Sequence, residues 1–134
     1  KLEYEGEYLY NKKWNGKGYD ENRNITYELI NGNGKVKYYH LNGELYFEGE
    51  YLNGKRNGKG KEYDPDGYLV FEGKYLNGLR NGKGKEYYQD ELIYEGEYLN
   101  ELKNGKGKEY YHDELIYEGE YINGEKLYFI EYDY

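Results

Sequence analysis

The segment Tyr94-Glu95-Gly96-Glu97-Tyr98-Leu99-Asn100 recurs 23 residues later as Tyr117-Glu118-Gly119-Glu120-Tyr121-Ile122-Asn123. The same pattern occurs upstream over residues 71–77 and 47–53, and the chain opens with a related stretch over residues 4–9. A fixed period of this length indicates one small structural unit that is used many times. We therefore expect function to lie on an extended surface rather than in a single pocket.

The composition favours strands and excludes several classes of function. Tyrosine occurs 23 times and glycine 20 times in 134 residues, and alanine, serine, cysteine and methionine are absent. Tyrosine favours pleated, half-buried surfaces. A net charge of −8 disfavours general binding to nucleic acids or anionic membranes. No apolar run is long enough to span a membrane. The chain starts at Lys1 rather than Met, which we interpret as a fragment or a trimmed chain.

The sequence offers no catalytic constellation. Serine and cysteine nucleophiles are absent, and the glutamates repeat with the unit as a solvated charge ladder would. His40 and His112 lie in or beside predicted turns, so we interpret both as structural or surface residues. The Asp-Pro-Asp-Gly stretch at 64–67 is interpreted as a turn, because the other ligands of a calcium loop are missing. The sequence predicts no enzyme, no cofactor and no metal site.

Aligning the aromatic-Glu-Gly openings divides the chain into units over residues 4–26, 27–46, 47–70, 71–93 and 94–116, followed by a partial capping unit over 117–134. The second unit is irregular, because Leu29 stands where glycine is expected. Each unit holds two alternating stretches that are separated by turn residues, and this pattern predicts two strands per unit. We predict an all-β fold: one array over residues 1–134, an elongated, single-layer antiparallel meander of β-hairpins that forms a twisted rod.

The alternation also predicts two different faces. If residues 100–104 form a loop, Tyr98 lies opposite Gly107, with Tyr121 on the other side of that glycine. An odd-length turn with a bulge near Glu114 is then needed to keep these residues on one face. We expect tyrosine rings to cover glycines on this face, and glutamates and lysines of alternating sign to occupy the other. Lys74 breaks the alternation, and we expect its neighbours to be Lys61 and Lys85.

The repeated string resembles the MORN repeat (membrane occupation and recognition nexus). Its Tyr-x-Gly opening and Gly-x-Gly second strand correspond to Phe47, Gly49, Gly58 and Gly60; Phe71, Gly73, Gly82 and Gly84; Tyr94, Gly96, Gly105 and Gly107; and Tyr4, Gly6, Gly16 and Gly18. The resemblance implies a rod-like twisted sheet of MORN-type hairpins. It also implies a scaffold that binds partner proteins or peptides along an aromatic groove, and end-to-end dimers. Binding of phospholipids is implied less strongly.

Our leading hypothesis is a non-catalytic scaffold that binds a partner segment along its aromatic-glycine face. The predicted partner-binding residues are the aromatic members of the repeat: Phe47, Tyr51, Phe71, Tyr75, Tyr94, Tyr98, Tyr117 and Tyr121. The alternative is peripheral association with anionic phospholipid or an acidic partner through a basic edge of turn residues, namely Lys55, Arg56, Arg80 and Lys103.

A third hypothesis is self-assembly, because unpaired strands at the ends of a sheet invite pairing. The predicted dimer surface is the last strand, over residues 129–134. The sequence favours an intracellular location, cytoplasmic or associated with cytoskeleton or membrane, and it does not identify the partner.

Overall fold

The computed structural model describes residues 3–127, and this part of the chain is all-β, with 74% of residues in strands and no helix. The strands are β1 (Tyr4–Leu9), β2 (Lys12–Tyr19), β3 (Ile25–Leu29), β4 (Gly34–Tyr39), β5 (Leu45–Leu52), β6 (Lys55–Tyr63), β7 (Leu69–Leu76), β8 (Leu79–Tyr88), β9 (Glu91–Leu99), β10 (Leu102–Tyr111), β11 (Glu114–Ile122) and β12 (Glu125–Lys126). The predicted last strand over 129–134 lies outside the described residues.

The strands form two antiparallel sheets in which every neighbour in space is also a neighbour in sequence. Strands β1 to β3 form a three-stranded sheet, and β4 to β12 form a nine-stranded sheet that does not close on itself. The prediction of an all-β antiparallel meander is therefore confirmed. The large sheet contains all of the regular units that begin at Phe47, Phe71 and Tyr94.

The sheet divides within the irregular second unit. Here β3 and β4 are joined by a single bridge between Ile30 and Asn33. The Gly32 amide donates to the Trp14 carbonyl at 2.8 Å, and the Gly54 amide makes the same kind of bond to the Gly32 carbonyl at 2.9 Å. Leu29, which replaces the usual glycine, is 1% exposed and packs with Tyr27 and Val36. The aromatic contacts nevertheless continue across this division, because the Tyr38 ring lies 6.3 Å from the Tyr27 ring and 6.4 Å from the Phe47 ring.

The turns within the regular hairpins are shorter than the sequence indicated, and the predicted register is wrong. Strand β9 ends at Leu99 and β10 begins at Leu102, so the turn contains only Asn100 and Glu101, both with positive φ (47° and 79°). This is the geometry of a type I′ turn, which matches the twist of the flanking strands. As a result Gly96, rather than Tyr98, lies opposite Gly107.

The predicted bulge is present, but the predicted odd-length turn is not. The β10–β11 turn also has two residues, His112 and Asp113, and the register shifts between Glu109 and Tyr110. A bulge in the strand therefore supplies the change of parity that the odd-length repeat requires.

Glycines from successive strands lie side by side and form a row across the large sheet. The paired residues in order are Gly49, Gly60, Gly73, Gly84, Gly96, Gly107 and Gly119. An added Cβ at Gly107 would lie 2.7 Å from the Tyr94 ring and 2.8 Å from the Tyr121 ring. Aromatic rings thus cover the glycines, as predicted. The residues directly opposite each glycine are other glycines, and the covering rings belong to residues two positions away from those glycines on the neighbouring strands.

Candidate functional site

The predicted aromatic residues form a continuous column of rings along one face of the large sheet. Successive rings meet edge to face, with centroids 5.7 Å apart for Phe71 and Tyr75 and 5.4 Å apart for Phe71 and Tyr98. The same contact repeats between Tyr94 and Tyr121 at 5.4 Å. Such pairs add to the stability that burial alone provides. The column therefore links each hairpin to the next.

The rings of this column are buried, whereas the leading hypothesis expected them to contact a partner segment. Phe47 and Phe71 are 0% exposed and Tyr94 is 1% exposed. Tyr75, Tyr98 and Tyr121 are also buried, whereas Tyr51 and Tyr117 are half-buried. The structure thus brings all eight predicted partner-binding residues together, but as a hydrophobic core rather than an open groove.

Basic side chains cover this column. The Arg56 guanidinium carbon lies 3.9 Å from the Phe47 centroid, and that of Arg80 lies 4.0 Å from the Phe71 centroid. The Lys103 Nζ lies 4.2 Å from the Tyr94 centroid. Long basic side chains can shield rings with their stems while cation–π attraction holds their charges. Sequence reasoning missed this cover, although the basic residues recur in phase with the rings.

Three of the four residues predicted to form a basic edge are therefore engaged within the protein. Arg80 also forms an ion pair with Glu62 at 3.0 Å, and Lys103 lies 3.5 Å from Glu86. Only Lys55 in this predicted set is fully exposed. These four residues therefore do not form a rim of unpaired basic side chains.

A tyrosine, a glutamate and a basic residue form the same cluster in successive units. The Tyr75 hydroxyl donates to Glu62, which Arg80 also contacts, and the Tyr98 hydroxyl donates to Glu86. Burial, followed by the bond to the glutamate, raises the pKa of both tyrosines. These clusters satisfy the polar ends of buried rings, so we interpret them as structural.

The opposite face of the large sheet forms a long groove with a volume of about 1280 Å³. Its floor is the backbone of the glycine row, and its lining crosses every strand from β4 to β11. The glycine Cβ directions point to the aromatic face, so the groove floor carries no side chains along this row. This open groove lies on the charged face, whereas the family resemblance implied a groove on the aromatic face.

Charged side chains line the groove in two rows, one on each side of the glycines. The first charge row alternates in sign on all eight strands: Lys37, Glu48, Lys61, Glu72, Lys85, Glu95, Lys108 and Glu118. The second charge row is Lys35, Glu50, Lys59, Lys74, Lys83, Glu97, Lys106 and Glu120. Opposite charges on neighbouring strands stabilise each pair modestly. Lys74 breaks this pattern, as predicted, but its neighbours are Lys59 and Lys83 rather than Lys61 and Lys85.

Aliphatic side chains border the second charge row. Strand alternation places Leu52, Leu76 and Leu99 on the groove face, and they remain 48%, 49% and 50% exposed. They recur once per unit at the same end of the strands. The groove therefore combines a charged interior with a repeated apolar border.

The two histidines make local contacts in different parts of the large sheet. His40 Nε2 lies 2.9 Å from the Tyr63 carbonyl oxygen, and exposed His112 pairs with Glu91. Within residues 3–127 no group of three metal-ligating side chains of the His, Cys, Asp and Glu types comes together. The same residues contain no helix long and apolar enough to cross a membrane.

The comparison with known families agrees with this architecture. The sequence model described as MORN repeat matches residues 47–67, 71–92 and 94–115, which correspond to the hairpins β5–β6, β7–β8 and β9–β10. A comparison with curated proteins finds no match. MORN repeats generally mediate protein or membrane interactions and are generally non-enzymatic. Since three consecutive repeats span residues 47–115, the chain belongs to the MORN repeat family.

Proposed function

We propose that this chain is a non-catalytic interaction module that holds a segment of a partner protein in the groove between the two charge rows. The observation that carries the proposal is the groove itself, which crosses eight strands without interruption and is lined by regularly spaced charges. Concave surfaces with a few convergent polar groups are the usual sites of recognition. In this proposal the whole chain, 1–134, acts as one array.

The dimensions of the groove suit a peptide segment. Eight strands at a spacing of about 4.8 Å give a length of about 34 Å. An extended chain of roughly ten residues or a helix of roughly 22 residues has this length. The alternating charges would set the register of such a segment, and the exposed leucines offer apolar contact along the same border.

The aromatic column supports this function indirectly. Its eight residues were predicted to contact the partner, but most are buried beneath Arg56, Arg80 and Lys103, and that burial favours a structural role. The column keeps successive hairpins in a constant arrangement, and this arrangement defines the spacing of the charges on the groove face. The engagement of the same three basic residues also weighs against the membrane alternative.

Site-specific photo-crosslinking tests the choice of face. A photoreactive residue at Lys85 probes the groove, and one at the exposed Tyr88 of the same strand serves as the control. In extract from cells that produce the protein, we expect position 85 to crosslink to one continuous segment of a partner. A synthetic peptide of that segment should then bind the purified chain in calorimetry.

Charge reversal provides the decisive comparison. Replacing either Glu72 or Glu95 with lysine should weaken binding of the peptide at least tenfold, because both carboxylates lie in the groove. The matched control is Glu28→Lys, which reverses an exposed charge on the residue opposite Lys17 in the small sheet. Equal binding by the original protein and all three variants would contradict the proposal. The membrane alternative would be favoured instead if the protein floated with phosphatidylserine vesicles and the Lys55→Glu variant did not.

A further inference from the structure

We propose that Lys59, Lys74 and Lys83, the lysine triplet, form a binding site for a carboxylate side chain of the partner segment. This inference rests on the proposed function and specifies the chemistry of the partner at one point. The triplet lies on strands β6, β7 and β8 in the middle of the groove. All three side chains are exposed.

The triplet is the one interruption in the charge pattern of the groove within the described residues. Lys59 and Lys74 are directly paired in register. An added Cβ at Gly82 would lie 3.5 Å from the Lys74 Cβ, which places Lys74 beside the start of the β8 bulge that leads to Lys83. Like charges on neighbouring strands repel each other. An anion from outside the chain would relieve this repulsion.

Equivalent positions in the neighbouring units show which kind of anion fits. The Glu50 carboxylate accepts a hydrogen bond from the Lys59 amide at 3.1 Å, and the Glu97 carboxylate accepts one from the Lys106 amide at 2.8 Å. These glutamates occupy the position that Lys74 has in its own unit. A carboxylate at this position of the repeat therefore accepts a hydrogen bond from a backbone amide at the bulge of the next strand.

Lys74 cannot perform this task, because an ammonium group has no acceptor. The amide of Lys83, which corresponds to those of Lys59 and Lys106, consequently lacks the carboxylate that its counterparts have. A backbone amide beside Lys74, with further lysines on the same face of strands β6 and β8, is a favourable environment for an anionic acceptor. The repeat itself thus indicates that the missing group is a carboxylate.

The surrounding carboxylates are bound to other groups: Glu50 and Glu97 flank the triplet, but they accept hydrogen bonds from the Lys59 and Lys106 amides. Glu72, on the same strand as Lys74, is paired with Lys61 and Lys85 on its two sides and accepts a hydrogen bond from Tyr87 at 2.7 Å. It belongs to the first charge row, on the other side of the glycines. Its charge is therefore balanced by its own neighbours.

Nuclear magnetic resonance tests the site without the natural partner. The probes are an acetylated tetraglutamate peptide, the corresponding tetraglutamine peptide and inorganic phosphate. We expect tetraglutamate to shift the Lys83 amide resonance saturably, and tetraglutamine to leave it unchanged. Phosphate that binds more tightly than tetraglutamate would overturn the assignment to a carboxylate.

Two charge-reversal variants isolate the site. Lys74→Glu should weaken tetraglutamate binding at least tenfold, because it supplies the internal carboxylate that the other units have. Lys17→Glu makes the same change of charge at an exposed position in the small sheet, outside the groove, and should bind like the original protein. Equal loss in both variants would show a general charge effect and overturn the proposal, and the amide spectra report whether each variant is folded.

Failure of the carboxylate site can be distinguished from failure of the proposed function. Absence of any shift at Lys83, with crosslinks from position 85 intact, would remove the carboxylate site and leave the groove function standing. A saturable shift at Lys83 without a crosslinked partner would support the carboxylate site and contradict the proposed binding of a partner segment in the groove.

Discussion

Adding one methyl group to Gly84 tests whether the ring column requires a glycine row beneath it. A Cβ at this position would lie 2.7 Å from both Cε1 and Cζ of Phe71 and 3.0 Å from Cε1 of Tyr98. Both rings are buried, and each also packs against further rings of the column. Neither ring can move aside without losing its contacts with a neighbouring unit.

The size of the effect follows from this overpacking. An extra methyl group in a well-packed core destabilises a protein by about 1–3 kcal/mol, and two trapped rings place Gly84→Ala near the upper end. The backbone of Gly84 does not have the positive φ that glycine tolerates best. An alanine without steric conflict would stabilise the strand by about 0.4–1 kcal/mol. The two effects therefore have opposite signs.

The assay is urea unfolding followed by circular dichroism and tyrosine fluorescence. We expect Gly84→Ala to lower the free energy of unfolding by about 2–3 kcal/mol. Phe71→Leu removes the ring that the methyl group meets, so the double variant should be more stable than the sum of the two single effects predicts. An unchanged or increased stability of Gly84→Ala, or strict additivity in the double variant, would refute the packing argument.

Three further predictions concern the core and the groove. Burial raises the pKa of Tyr94 to about 12; because the folded state holds this proton more tightly, its contribution to stability is complete below about pH 10 and declines by about 1.4 kcal/mol per pH unit above it. Other buried tyrosines add to the total, so the contribution of Tyr94 is the difference between the original protein and Tyr94→Phe in urea unfolding between pH 9 and about 12. Phe71→Ala removes a fully buried ring and should destabilise the protein by about 3–5 kcal/mol in thermal or urea unfolding. Glu97→Ala removes the acceptor of a bulge amide and should lower the free energy of unfolding by about 1 kcal/mol, whereas Lys74→Glu should raise it by a similar amount.

Each of these predictions has a clear contrary result. A difference in stability between the original protein and Tyr94→Phe that stays constant up to pH 12 would contradict the burial of Tyr94. A loss below about 1 kcal/mol for Phe71→Ala would show that the ring column is not the core. If Lys74→Glu destabilised the protein, the proposed likeness between Lys74 and the neighbouring glutamates would be wrong.

The repeat unit and its two faces could be predicted from the sequence alone. The 23-residue recurrence and the alternation of Tyr94, Gly96 and Tyr98 with charged residues indicate paired strands, and the structure contains those strands. Which residues share a face follows from the period of two, so rings over glycines and the mixed-charge face could both be foreseen. The irregularity at Leu29 was also visible in the sequence, and the sheet divides in that unit.

The register was decided only by the tertiary structure. A shift of two residues between strands leaves every side chain on its own face but changes all of its neighbours, so alternation cannot determine the register. The register depends instead on the turns, and Glu101 adopts a positive φ that its residue type disfavours. The predicted five-residue loop therefore placed Tyr98, rather than Gly96, opposite Gly107.

Burial and the position of the open surface depend on that register. The rings of Phe71 and Tyr98 are buried because residues from several units surround them and Arg80 covers them, and no local pattern specifies such contacts. For the same reason Lys74 lies beside Lys59 and not beside Lys61. The sequence by itself determined what each face carries, and the alignment of neighbouring strands determined which face is closed by its own side chains and which remains open.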